Sequence, residues 1–158
     1  MKYFSTWETK PFFHGHSNRF LDDALALQIG KDFPHWDDPA WETFDSPYGL
    51  KKELSNRELF PPSLLTFLSI VESDEFLHEL KEATGLELEI DLNLFGGGLN
   101  IYPPNSRLQK HTDFNYNNDL KKYRALNLLY FVNENYDSSY GGELILHPNP
   151  AYKDVIKI

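Results

Sequence analysis

The hydrophobic pattern of this chain changes period once, near Gly85. Before that point apolar residues recur at helical spacing. Positions 21, 24, 25, 27 and 29 form one such set, with Asp22 and Asp23 suited to the positive end of a first turn. Phe33-Pro34 ends it, because a residue before proline is pushed out of the helical region. Pro61-Pro62-Ser63 opens a second helix that runs to about residue 71. Ser73 or Asp74 caps a third, with Phe76, Leu77, Leu80 and Ala83 as its buried stripe and Gly85 as its stop. Residues 35–48 hold Trp36, Trp41, Phe44 and Tyr48 among prolines and turn formers, which predicts a loop pinned by its aromatics.

Beyond Gly85 the period is two. Leu86, Leu88, Ile90, Leu92 and Leu94 alternate with Glu87, Glu89, Asp91 and Asn93, the pattern of a half-buried strand with a solvated acidic side. Gly96-Gly97-Gly98 breaks it, and residues 99–102 form a second strand closed by Pro103-Pro104-Asn105. Residues 108–111 predict a short third strand, 124–132 a long buried fourth and 142–147 a fifth. No repeat interrupts this order, so residues 1–158 read as one domain with a helical section, 1–85, and a strand-rich section, 86–158. Helices followed by short strands predict an α+β fold around an antiparallel sandwich or jelly roll.

Composition narrows the function classes. The chain has 15 Lys+Arg against 24 Asp+Glu, a net charge of −9, which argues against a nucleic-acid or anionic-membrane surface. No apolar run is long enough to span a bilayer, and the first residues lack the apolar core of a signal peptide, so a cytoplasmic location is expected. The absence of Cys excludes disulfides, thiolate metal sites and cysteine nucleophiles. Gly96-Gly97-Gly98 is followed by neither Lys-Ser/Thr nor a helix, so it is no phosphate cradle.

The most informative chemistry lies in Gln109-Lys110-His111-Thr112-Asp113-Phe114. In extended backbone residues i and i+2 point to one side, so His111 and Asp113 can present an imidazole and a carboxylate to a common point. That is two-thirds of a 2-His-1-carboxylate triad, which holds Fe(II) and leaves positions open. Alone, an H-x-D triplet is more often a surface pair or a local turn than a metal site. His14-Gly15-His16 offers a weaker i, i+2 pair beside the first helix.

The order of motifs around the triplet carries a resemblance. Asn100-Ile101-Tyr102-Pro103 precedes it; Arg124-Ala125-Leu126-Asn127 runs on through Tyr130-Phe131 to Asn133; Tyr140-Gly141-Gly142-Glu143-Leu144 follows. Over residues 86–150 this resembles the 2-oxoglutarate- and Fe(II)-dependent oxygenases of the prolyl 4-hydroxylase-like group. The resemblance implies a double-stranded β-helix (jelly-roll) core with the N-terminal helices packed on its major sheet. It implies Fe(II) and 2-oxoglutarate as cofactor and cosubstrate, and a small-molecule or peptide substrate. His111 and Asp113 become the first two iron ligands, and Tyr102 the tyrosine contacting the cosubstrate. Phe131 falls where some members carry a tyrosine hydroxyl for the distal carboxylate. Asn127 shares strand parity with Phe131 and can bond the cosubstrate.

One departure accompanies this. The resemblance implies a distal His and a basic residue that would be expected beyond Ile158, and His147, Lys153 and Lys157 are poor substitutes. The expectation is therefore a jelly roll incomplete at its C-terminus, inactive in this form, with open sheet edges available for homodimer pairing. The alternative is a non-catalytic jelly-roll module binding a glycan through Trp36, Trp41, Tyr136 and Tyr140. A Zn(II) hydrolase on His111 and Asp113 is a third reading and needs a further ligand.

Overall fold

Local capping sets the helical half. A computed structural model describes residues 3–46 and 49–147, together with the backbone of 156–157. Helix α1 spans Asp23–Asp32, and the Asp22 side chain accepts from the Leu25 N–H at 3.0 Å. Helix α2, Pro62–Val71, begins with proline where no amide hydrogen is needed. Helix α3, Asp74–Thr84, has Ser73 as its N-cap, accepting from the Phe76 N–H at 3.2 Å. Gly85 closes it in the left-handed region at φ 68°, a conformation that costs glycine little and other residues more.

Two hairpins accompany these helices. Strands β1, Thr6–Glu8, and β2, His14–His16, pair antiparallel near the N-terminus. Strands β3, Glu42–Ser46, and β4, Gly49–Leu54, pair in the same sense, and β5, Leu99–Ile101, adds to β4 with Leu54 opposite Leu99. The expected loop over residues 35–48 is thus corrected, because its second part is a strand. Trp41, just before it, is buried and donates its indole N–H to the His35 carbonyl at 2.7 Å. Tyr48 lies outside the described residues.

The core forms where α1 and α2 meet this three-stranded sheet. Leu21, Ile29, Trp41, Leu54, Phe60, Leu64, Leu68 and Leu99 bury one another, with Tyr130 and Val132 packed at the edge. Each such side chain contributes roughly 1.5–3 kcal/mol by leaving water. The N-terminal segment is tied to α3 by an aromatic group, Tyr3, Phe20 and Phe76, and by Glu79, which accepts from the Tyr3 and Phe4 amides at 3.1 Å.

The strand-rich half departs from expectation. Residues 86–94 form no strand. Asp91 accepts from the Asn93 and Phe95 amides at 2.9 and 3.2 Å, a side-chain turn that captures backbone donors a ladder would need. Arg57 fixes this segment by donating to the Leu92 carbonyl at 2.9 Å while pairing with Glu72. Glu87 and Glu89 pair with Lys81 and Lys122 instead of lining the solvated side of a strand. Residues 108–111 and 124–132 are not strands either, and most of 124–132 is exposed. Alternation supplies a buried face, but a strand exists only where a neighbour accepts its hydrogen bonds.

The remaining strands are two-residue pairs: β6, Tyr116–Asn117, with β7, Lys122–Tyr123, and β8, Ile145–Leu146, with β9, Ile156–Lys157. Strand β8 is all of the expected fifth strand that forms. Lys153, Asp154, Val155 and Ile158 lie outside the described residues. The architecture is therefore mixed helix and sheet, with one three-stranded and three two-stranded sheets among the described residues, and these do not assemble a jelly roll. Helices α1 and α2 share their core with the three-stranded sheet, and α3 packs beside α2.

Candidate active site

His111 and Asp113 lie on an irregular stretch between β5 and β6, and their side chains meet. The His111 Nδ1 lies 2.7 Å from the Gln109 carbonyl oxygen. A carbonyl only accepts, so Nδ1 carries the proton and Nε2 the lone pair of the neutral ring. That Nε2 faces Asp113 Oδ1 at 3.3 Å. Two acceptors so placed require positive charge between them, a proton or a cation. Neighbouring donors on an octahedral ion with bonds of about 2.1 Å stand about 3 Å apart, so the pair fits two adjacent positions of one metal.

The other carboxylate oxygen is anchored. Asp113 Oδ2 accepts from Asn127 Nδ2 at 2.9 Å and lies 3.4 Å from Arg124 Nη1. Arg124 also donates from Nη2 to the Phe95 carbonyl at 2.8 Å, and its guanidinium lies 3.9 Å over the Phe114 ring. Phe95 and Phe114 meet edge to face, with ring centroids 5.0 Å apart.

Of the residues singled out from sequence, His111, Asp113 and Asn127 are thus brought together. Tyr102 immediately follows β5 and is exposed, as is Phe131 at 55%. Among the described residues neither is hydrogen-bonded to this group, and no cluster of three or more His, Asp or Glu forms that could hold a metal. His147, which is described, therefore joins no such cluster. Arg124 was missed as a site residue. Its signal was its place as the last cation of Lys121-Lys122-Tyr123-Arg124, heading residues 125–132, which are apolar but for Asn127.

The aromatics of the glycan-binding alternative are dispersed. Trp41 belongs to the core, and Lys52 covers Trp36 at 4.4 Å. Tyr136 and Tyr140 form their own edge-to-face pair, with centroids 6.5 Å apart.

An H-x-D pair with its imidazole and carboxylate side by side supplies two donors of the kinds that non-haem iron sites use. Comparison with known families agrees. A model described as the 2OG-Fe(II) oxygenase superfamily matches residues 97–158, the segment that contains the whole pair and its anchors. The match supports that superfamily, and with it a dioxygenase-type oxidoreductase function. The family uses Fe(II) and 2-oxoglutarate and acts on small-molecule or peptide substrates. No curated protein and no solved structure matches the chain. Among the described residues no helix is long and apolar enough to cross a membrane.

Proposed function

We propose that the chain is an Fe(II)- and 2-oxoglutarate-dependent dioxygenase of the prolyl 4-hydroxylase-like branch, with His111 and Asp113 as two of its iron ligands. The observation that carries this reading is His111 Nε2 facing Asp113 Oδ1 at 3.3 Å, within the segment the family model matches. When bound, Fe(II) with 2-oxoglutarate supplies the activation of O₂ that hydroxylates an organic substrate. The chain's own part is to hold and orient. The Gln109 carbonyl sets the imidazole tautomer, and Asn127 takes one carboxylate oxygen so that the other turns to His111. The second amide hydrogen of Asn127 and the phenol of Tyr102 are the donors assigned to the cosubstrate, and Phe131 gives that side an apolar surface. The jelly roll belongs to this reading and requires more strand pairing than the four small sheets described above.

Titration with Mn(II), followed by electron paramagnetic resonance, tests the site, and 2-oxoglutarate is then added with and without the metal. The protein is expected to bind Mn(II) and to bind 2-oxoglutarate only in its presence. His111→Ala and Asp113→Ala should lose both, while His14→Ala and His78→Ala keep both. Equal loss in His14→Ala would move the site to the N-terminal hairpin and overturn the reading.

A further inference from the structure

We propose that Arg124 is a positioning residue for the Asp113 carboxylate, locked in place by Phe114 and the Phe95 carbonyl. The inference rests on the metal-site reading above and adds to it the device that aims one ligand. A carboxylate beside an imidazole can rotate about its last bond, and rotation would exchange the oxygen offered to the shared point. Asn127 at 2.9 Å and Arg124 at 3.4 Å both address Oδ2, which leaves Oδ1 toward His111. Asn127 alone is one hydrogen bond. Arg124 adds charge and a planar fork whose other arm is already committed to the Phe95 carbonyl at 2.8 Å.

The guanidinium is itself constrained. It lies flat enough over Phe114 for a 3.9 Å approach to the centroid, and Phe114 is the residue directly after the ligand. Gly96 completes the arrangement. Its φ is 66°, and a Cβ there would overlap the Phe114 ring and come to 3.0 Å from Arg124 Nη2. The glycine segment before β5 therefore makes room for the clamp, a use that its sequence alone did not reveal. The Phe95 carbonyl and the Phe114 ring thus hold the guanidinium, and the guanidinium addresses one carboxylate oxygen.

The sign of the effect separates positioning from simple electrostatics. A cation beside a metal site repels the metal, so removing it would tighten metal binding if charge were its only influence. If Arg124 orients the ligand, removing it weakens binding. Mn(II) affinity is measured for the unaltered chain, Arg124→Met, Arg124→Lys and Asp113→Asn, with far-ultraviolet circular dichroism on each. Loss of such outer partners typically costs about 10–100-fold in metal affinity. Arg124→Met is expected to weaken Mn(II) binding by about 10-fold, and Arg124→Lys, which keeps the charge without the fork, to restore only part. Unchanged or tighter binding by Arg124→Met overturns the inference while leaving the metal site intact. If Arg124→Met does not fold, Phe114→Leu decides, because it removes only the ring face: weaker binding supports the clamp and equal binding overturns it. Absence of Mn(II) binding by the unaltered chain, or full binding by Asp113→Asn, would instead overturn the metal-site reading and this inference with it.

Discussion

Tyr130 shows how a single side chain joins the two halves. Its ring lies 4.9 Å from Phe67 and 6.4 Å from Phe20, centroid to centroid, so an irregular segment of the second half rests on helix α2. Burial among these rings holds its phenol above the usual range, because the phenolate would be poorly solvated there. The neutral form is therefore favoured by folding. This contribution is fully present below the ordinary phenol value, about 10, and is lost as pH rises through the higher folded value. Denaturant midpoints measured across the alkaline range should fall less steeply for Tyr130→Phe, which cannot ionise. Identical slopes would show that the phenol faces water. At the same scale the meeting of His111 and Asp113 was legible, because residues two apart need only local geometry to touch, although the strand expected there did not form. Arg124 was not legible, since its partners Phe95, Asp113 and Phe114 come from two other segments.

Elements divide by where their hydrogen bonds close. Helices α1, α2 and α3 bond within themselves, so caps and stops near them in the sequence set their ends. The Ser73 hydroxyl accepts from Phe76 N–H at the start of α3, and Gly85 terminates it at φ 68°. Ser73→Ala should therefore cost about 1 kcal/mol in chemical denaturation, and Ser73→Asp should retain most of that stability. An unchanged midpoint for Ser73→Ala would mean that the α3 cap contributes nothing. Strands behave differently, because each needs a partner from elsewhere. Residues 86–94 have the alternation of a strand, yet they form none, and Asp91 and Arg57 hold their end in a turn.

For the molecule as a whole, stability is concentrated where α1 and α2 cover the three-stranded sheet. Ile29 has no exposed surface and lies in the cluster that contains Trp41, Leu54, Leu64 and Leu99. Ile29→Ala should cost about 2–5 kcal/mol, through lost burial and the cavity left behind. Tryptophan fluorescence and far-ultraviolet circular dichroism should report the same shifted transition. A loss below about 1 kcal/mol would show that this cluster is not the centre of the fold. The candidate site lies away from that centre on partly exposed, irregular backbone, held by side-chain contacts to Gln109, Phe95 and Asn127.

The sequence by itself determined the three helices with their caps and stops, the residues that bring an imidazole and a carboxylate together, and the order of motifs that points to iron and 2-oxoglutarate. Those features depend on contacts between near neighbours in the chain. Tertiary structure alone decided which extended runs became strands. It paired β4 with both β3 and β5, and it left residues 124–132 without a ladder, although their pattern suited burial. It also decided that Asp113 has Arg124 and Asn127 on one oxygen and His111 at the other. The physical reason is the same in both cases. A hydrogen bond between distant segments forms only where packing brings its donor and acceptor together, and periodicity along the chain carries no record of that meeting.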